Sequence, residues 1–351
     1  MNNRLHSVRL ALLTAACLNL SGTAAAAPKT AATQITGCGP SLAAPLFQKW
    51  SEAYLKGHDV KVGYEVQDQL RPADSLAYRK WMFLITAEPL DPVASGRLGV
   101  VQMPLLLAGV TPVVHIGGGV VDTLQLTIRT VGDILRGRYS NWRDPALVAL
   151  NPGHRIPGLS ITLVHQPDGW LSTRALVQGL ARQSPDWLPF IHVGPPVPWG
   201  RGVAVANDAA AAAELLESDG AFGFLPLNFT GGELIPVAIG EMGAERATPS
   251  IASFTAAVIQ MEWQDPQLMS AVVSLEDEAA PWPFTIPLYV AVRRDQPDRD
   301  QARQVVEFLE WCLDLGGETA AEEGMAPLPP EMAVAVKSIW MRELRLMTNE
   351  R

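Results

Sequence analysis

Short apolar runs alternate with longer amphipathic runs along most of this chain. Runs rich in β-branched and aromatic residues predict strands at 61–66, 82–86, 110–116, 160–165, 221–225 and 286–292. Apolar positions at helical spacing predict helices at 74–80, 130–136, 172–182, 298–315 and 330–346. A further helix around the alanine run 209–213 is expected to begin with Asn207 or Asp208 as its cap. The alternation predicts an α/β protein with mainly parallel sheets flanked by helices and with sites at the carboxyl ends of strands.

The size and composition of the chain are those of a globular protein. Its 351 residues are enough for two domains with substantial cores, and 48% of them are hydrophobic against 18% charged. The formal net charge of −9 argues against nucleic acid and anionic lipid as partners. A local group of backbone N–H groups can nevertheless bind a small anion, whatever the overall charge.

Residues 1–27 have the pattern of a secretory signal peptide. Arg4 and Arg9 precede a short apolar stretch at 10–20, and small residues at 24–27 offer a cleavage site. The stretch is too short to span a bilayer, which needs about 20 apolar residues. The alternative is a lipoprotein anchored through Cys17, although the leucine expected three residues earlier is missing. We therefore expect a periplasmic protein without a membrane span.

Two cysteines, Cys38 and Cys312, lie beyond the predicted signal peptide. An oxidising periplasm permits a disulfide between them, and two unpaired thiols are an equally open alternative. The six histidines show no metal-ligand spacing, and no nucleophile-elbow or phosphate-loop motif is found. The sequence therefore predicts neither an enzyme nor a cofactor.

The segment 35–50, ITGCGPSLAAPLFQKW, carries the most specific local pattern. A strand is expected to end at Thr36-Gly37, and a Gly-rich turn places Ser41 just before an amphipathic run. This arrangement directs backbone N–H groups and a helix N-terminus at an anion. The alternative is that Ser41 is simply the N-cap of the helix.

This segment resembles the N-terminal signature of the periplasmic phosphate-binding proteins of high-affinity phosphate ABC transporters, the PstS-like family. Further blocks follow in the family's order, at 141–153 (NWRDPALVALNPG), 161–169 (ITLVHQPDG), 220–224, 282–285 and 326–329. The resemblance covers about residues 35–341. It implies a two-lobed, type II-like Venus-flytrap fold with a small anion in the cleft, which is phosphate in the family itself, and with ABC permease subunits as partners. Lobe 1 would comprise 28–105 and 285–351, and lobe 2 would comprise 106–284.

The resemblance implies four ligand loops, of which the first is the best kept. Ser41 stands at a ligand threonine, and Leu42 stands where a backbone N–H binds. In the second loop, Gln69 and Leu70 occupy ligand positions of a lost Gly-Ser-Ser-Gly-Gly turn. There Asp68 would oppose an anion, and a solvated turn is the favoured interpretation.

The third and fourth loops have lost the chemistry that binds phosphate. Ala87 stands at the aspartate that accepts the phosphate proton in the family, and Glu88 is one residue out of register. In the fourth loop Gln166 replaces the arginine, and the Ser-Gly pair is replaced by Trp170 and Leu171. The same loop keeps Asp168, Ser172 and Thr173. The alternative for this loop is a capping turn with a packed tryptophan.

These losses bear on affinity. Charge-assisted hydrogen bonds contribute about 1.5–3 kcal/mol each, so the missing groups together cost on the order of 5 kcal/mol. The sequence therefore predicts a solute-binding protein with a degenerate phosphate site. The alternative is a flytrap-fold interaction or sensory protein of the cell envelope that no longer binds phosphate.

Overall fold

The computed structural model describes residues 33–68, 80–117, 123–191, 196–241, 243, 245–274, 280–295 and 298–344. The predicted signal peptide with Cys17, and the predicted helix 74–80 apart from Lys80, lie outside these ranges. The strands are β1 (Thr33–Gly39), β2 (Val60–Val66), β3 (Phe83–Thr86), β4 (Val100–His115), β5 (Leu124–Leu126), β6 (Thr162–His165), β7 (Gly202–Ala204), β8 (Ala221–Pro226), β9 (Leu234–Ile239), β10 (Thr285–Arg293) and β11 (Met325–Pro327).

The helices cover both long amphipathic runs near the end of the chain and most of the shorter ones. They are α1 (Ala44–His58), α2 (Pro92–Leu98), α3 (Ile128–Leu135), α4 (Pro145–Leu150), α5 (Leu171–Gln183), α6 (Asp208–Glu217), α7 (Ile251–Ala256), α8 (Pro266–Val273), α9 (Arg299–Leu315), α10 (Gly317–Glu322) and α11 (Pro330–Glu343). Within the described ranges, no helix is long and apolar enough to cross a membrane.

Parallel and antiparallel pairs contribute together to the sheets. The order is β2-β1-β3-β10-β4-β8-β6-β7, with β11 and β9 also paired to β4 and β5 paired to β9. The pairs β1–β2, β1–β3, β6–β7, β6–β8 and β5–β9 are parallel. The strands β4 and β10 run antiparallel to their partners. The predicted α/β class is confirmed, but the sheets are mixed and the expectation of mainly parallel sheets is wrong in this detail.

The long strand β4 joins the two halves of the fold. Its first part, up to Gly109, pairs with β10, and from Val110 onward it pairs with β8. Nearly all of it is buried. At the point of change a Cβ on Gly109 would lie 2.1 Å from the ring of Phe254, and the Val110 carbonyl accepts a hydrogen bond from the Trp282 indole at 2.8 Å. The lobe boundaries at 105 and 284 stay a prediction.

The start of α3 differs from the sequence expectation, and the start of α6 decides between two expected caps. Helix α3 begins at Ile128 rather than 130, because Thr127 is its cap and the Thr127 hydroxyl accepts from the Thr130 N–H at 3.0 Å. Helix α6 is capped by Asn207, whose side chain accepts from the Ala210 N–H at 2.8 Å. Asp208 is therefore the first residue of α6, and its side chain is available for other contacts.

Both cysteines are unpaired and buried. Cys312 on α9 belongs to the large apolar core, whereas Cys38 on β1 packs in a small separate cluster with Leu84, Val100 and Ala291. Burial raises the pKa of Cys38 to about 12 and raises that of Cys312 well above its ordinary value. The sequence left open a disulfide or two unpaired thiols, and in the structure the thiols are unpaired and protonated.

Candidate functional site

The candidate site is formed by loops at the carboxyl ends of β1, β2, β3, β6 and β7, as expected for parallel strands in α/β folds. After β1, Ser41 begins a short 3₁₀ turn, Ser41–Ala43, that leads into α1. The strand runs through Gly39, further than the expected end at Gly37. Ser41 is not a helix cap, because the cap position is Pro40 and no side chain caps the turn. Leu42 is buried in the core.

The backbone N–H of Ser41 is already bound to an anionic group of the protein. It donates to the Asp68 Oδ1 atom at 2.7 Å. Two more hydrogen bonds join β2 and the loop after it to the end of β1 and the next residue. The Gln67 N–H donates to the Gly39 carbonyl at 2.7 Å, and the Tyr64 hydroxyl donates to the Pro40 carbonyl at 2.9 Å. A carboxylate of the protein thus occupies one of the backbone N–H groups of the turn that the sequence predicts to face an anion. Gln69 and Leu70 lie outside the described residues.

The loop after β3 contains a charged pair. Ala87 is half-buried and packs against the core, and the Glu88 N–H donates to the Thr86 hydroxyl at 3.0 Å. The Glu88 carboxylate forms an ion pair with Arg174 on α5. Arg174 was not singled out from the sequence, because a single arginine in an amphipathic helix gives no local signal of a partner in another loop.

The loop after β6 has its donors directed at one buried carboxylate. Gln166 is wholly buried, and its Nε2 atom donates to the Asp208 Oδ1 atom at 2.8 Å and to the Phe224 carbonyl at 3.0 Å. The Ser172 hydroxyl donates to the same Oδ1 atom at 2.7 Å. The Trp170 indole N–H donates to the Asp208 Oδ2 atom at 3.1 Å. Three residues of the predicted clamp therefore bind a carboxylate of the protein itself.

The remaining predicted residues of this loop also contact protein groups. Asp168 is exposed, and its two carboxylate oxygens accept from the Val197 N–H at 3.0 Å and from the Trp199 indole at 2.8 Å. The Thr173 hydroxyl lies 3.5 Å from the Gln166 carbonyl and donates to it. Leu171 is buried as the first residue of α5. Trp170 is half-buried, and its indole N–H is bound to Asp208. No side chain caps α5, so the capping part of the alternative is wrong.

Asp208 is the chemically unusual group of the site. It is 6% exposed. Its burial raises the pKa of the carboxyl above the ordinary value of 3.8, the three hydrogen bonds from Ser172, Trp170 and Gln166 work in the opposite direction, and the charge of Asp68 raises it further. The effect of Asp68 places the two carboxylates close enough to repel each other. Within the described part of the chain, no group of three or more His, Cys, Asp or Glu side chains could hold a metal ion.

The pKa shift of Asp208 gives a testable dependence of stability on pH. Because the folded protein binds this proton more strongly than the unfolded chain, the contribution of Asp208 to stability falls as the pH rises from about 3.8 towards the higher folded pKa. Asp208→Asn removes the titration, so the stability of the variant relative to wild type is expected to rise with pH across this window. Urea unfolding at a series of pH values measures it, and parallel curves for the two proteins would contradict it.

Comparison with known proteins gives one consistent set of relatives. No protein-family model matches the chain. The phosphate-binding protein PstS of Xylella fastidiosa is 26% identical over 326 residues, which cover 93% of this chain and 90% of that protein. The phosphate-binding protein PstS of Haemophilus influenzae is 25% identical over 319 residues, which cover 91% and 96% of the two chains.

Solved structures share the fold at lower identity. A phosphate-binding protein from Stenotrophomonas maltophilia has a TM-score of 0.62 at 14% identity and matches 87% of this chain and 93% of that one. An ABC-type phosphate transport receptor from Vibrio cholerae has a TM-score of 0.54 at 14% identity and matches 84% and 100%. The chain thus has the two-lobed, flytrap-type fold of these proteins.

In sequence the chain is similar to PstS phosphate-binding proteins over about nine tenths of its length, as the order of its sequence blocks predicted.

Proposed function

We propose that the protein is a periplasmic solute-binding component of an ABC importer, with no catalytic step, whose solute is not bound by the charged phosphate clamp of its relatives. The signal-peptide pattern at 1–27 supports the compartment, and the PstS relatives support the transport role and the permease partner. Phosphate is the ligand in the names of those relatives. For this chain we propose a small solute of lower charge density, bound beside the indole of Trp170.

The observation that carries this proposal is the environment of Gln166. This buried amide stands where the resemblance implies an arginine. Its N–H group donates to Asp208 and is therefore not available to a solute. A neutral amide contributes about 1 kcal/mol per hydrogen bond, against about 1.5–3 for a charge-assisted one. A dehydrated phosphate would therefore lack a counter-charge at this position and would lie close to a carboxylate.

Calorimetry on the chain without residues 1–27 tests the proposal. We expect phosphate and sulfate to bind with a Kd weaker than about 100 μM, which corresponds to about 5.5 kcal/mol of binding free energy. A panel of neutral and weakly charged metabolites is titrated alongside, and the Xylella fastidiosa PstS protein serves as the positive control for phosphate. Submicromolar binding of phosphate by this chain would contradict the proposal.

A second candidate function is that of a flytrap-fold interaction or sensory protein of the cell envelope. The observation that favours it is that the Ser41 N–H, the Ser172 hydroxyl and one terminal nitrogen of the Arg174 guanidinium already have partners within the protein. A folded protein that binds nothing in the panel would support this candidate. Genes for permease and ATPase subunits beside its own gene would support the importer component instead.

A further inference from the structure

We infer that Asp208 is the specificity-determining residue of the site, because its carboxylate takes the place of a bound oxyanion on the donors of the β6–α5 loop. The inference deepens the proposed function and rests on it in one respect, namely that these loops form the solute site. From the sequence, Asp208 was only one of two candidate caps for the helix at 209–213.

The arrangement has the geometry of an anion site with the anion supplied by the protein. Donors from Gln166, Trp170 and Ser172 converge on the two oxygens of one carboxylate, over distances of 2.7–3.1 Å. These three residues stand at clamp positions of the loop, whereas Asp208 comes from a different element, the first residue of α6. Gln166, Ser172 and Asp208 are all buried, so water cannot substitute for the carboxylate without losing these contacts.

An external oxyanion cannot compete well with this carboxylate. The Asp208 side chain is attached to the fold and acts at a high effective concentration, whereas a free anion must be captured from solution. An oxyanion that bound beside Asp208 would also bring a second negative charge into a buried position.

Asp68 adds a second barrier of the same kind. Its carboxylate accepts from the backbone N–H of Ser41, a residue of the best-kept of the four predicted loops, and its charge acts on Asp208. Arg174, which lies two residues after Ser172 on α5, does not offset these charges, because it pairs with Glu88. The carboxylates of Asp68 and Asp208 therefore occupy these donors and exclude external oxyanions from the site loops.

Chemical rescue tests the inference. Asp208→Ala removes the carboxylate and leaves its three donors around a space of about the size of formate. We expect sodium formate, but not sodium chloride at equal ionic strength, to raise the Tm of this variant saturably by about 2 °C or more. Wild type and Asp208→Asn, in which the space stays filled, are expected to show no such increase.

Asp168→Ala is the matched control for the loss of charge. Asp168 also accepts two hydrogen bonds, but it is exposed, so its removal leaves donors that water can satisfy. Asp208→Ser is the second variant if Asp208→Ala is too unstable, because its hydroxyl keeps one partner. Formate should then stabilise Asp208→Ser, or restore cooperative unfolding to Asp208→Ala, and leave Asp168→Ala unchanged.

The outcomes separate this inference from the proposed function. Three results would overturn the role of Asp208. Formate could leave both Asp208→Ala and Asp208→Ser unchanged, it could stabilise all variants equally, or both of these variants could fail to fold with formate present. Those results would leave the solute panel on wild type untouched. Submicromolar phosphate binding by wild type would overturn the proposed function and also the claim that Asp208 excludes oxyanions, even if formate stabilised the variants.

Discussion

Trp282→Ala is expected to lower the free energy of unfolding by about 3–5 kcal/mol, the range measured for large-to-small changes of buried aromatic residues. Trp282 is fully buried, and it contacts Phe284 edge-to-face with ring centroids 5.7 Å apart. Its indole N–H donates to the Val110 carbonyl at 2.8 Å, and its backbone N–H donates to the Ser253 carbonyl at 2.9 Å. The substitution therefore leaves a cavity and an unpaired carbonyl where β4 changes its partner from β10 to β8.

Urea unfolding followed by circular dichroism measures this effect. Trp282→Phe is the matched control, because it keeps an aromatic ring in the core and removes the indole N–H with part of the volume. We expect it to cost about 1–3 kcal/mol. A loss below about 1 kcal/mol for Trp282→Ala would mean that the junction at Val110 does not depend on this side chain.

The elements predicted best from the sequence are those whose local pattern agrees with their tertiary surroundings. The strands β2, β6 and β8 and the helices α9 and α11 lie within a few residues of the predicted ranges. Each is a run whose period matches its element and whose ends carry turn or capping residues. Local and tertiary preferences coincide there, so the sequence pattern suffices.

The direction of strand pairing was not available from the same pattern. An apolar run predicts burial, but a parallel or antiparallel neighbour gives it the same hydrophobic face. The strand β4 illustrates this, since only part of it (110–116) was expected and its first part pairs antiparallel with β10. Its length and its two sets of partners are decided by residues that are far away in sequence.

The loops that form the candidate site were predicted from the sequence, but the hydrogen bonds that join them were not. Gln166, Trp170 and Ser172 were singled out, but their common partner Asp208 lies 36–42 positions further along the chain. Nothing in a single sequence indicates that an aspartate beside a helix cap will point into another loop. The opposing charge of Asp68 was anticipated, whereas its hydrogen bond to Ser41 was not.

The glycines of the segment 35–50 have a different role from the one first inferred. The strand was expected to end at Gly37, and Gly39 was expected to lie in the Gly-rich turn that follows. Both lie within β1 and are buried. A Cβ on Gly37 would lie 2.0 Å from the ring of Phe83, and one on Gly39 would lie 2.5 Å from the Tyr64 hydroxyl. These residues allow the neighbouring strands to pack closely against β1.

Gly39→Ala is accordingly expected to destabilise the fold by about 2–3 kcal/mol, in the range of overpacked cores. The new methyl group would lie 2.7 Å from both the Cβ and the carbonyl oxygen of Ile85, so the backbone of β3 would have to shift. The Gly39 carbonyl also accepts from the Gln67 N–H at 2.7 Å. A shift of this strand is therefore expected to disturb the bond between Asp68 and Ser41 as well.

Gly57→Ala provides the matched control for this substitution. Gly57 lies in α1, it is exposed, and no atom lies within 4 Å of the Cβ that alanine would add. Since alanine is the better helix former, we expect this variant to be more stable than wild type by about 0.5–1 kcal/mol. The two variants add the same methyl group, so opposite shifts in the midpoint of urea unfolding would isolate the effect of packing around Gly39. Shifts of the same sign would show that β1 can accept a side chain there, and the close approach of β3 would then not explain the glycine.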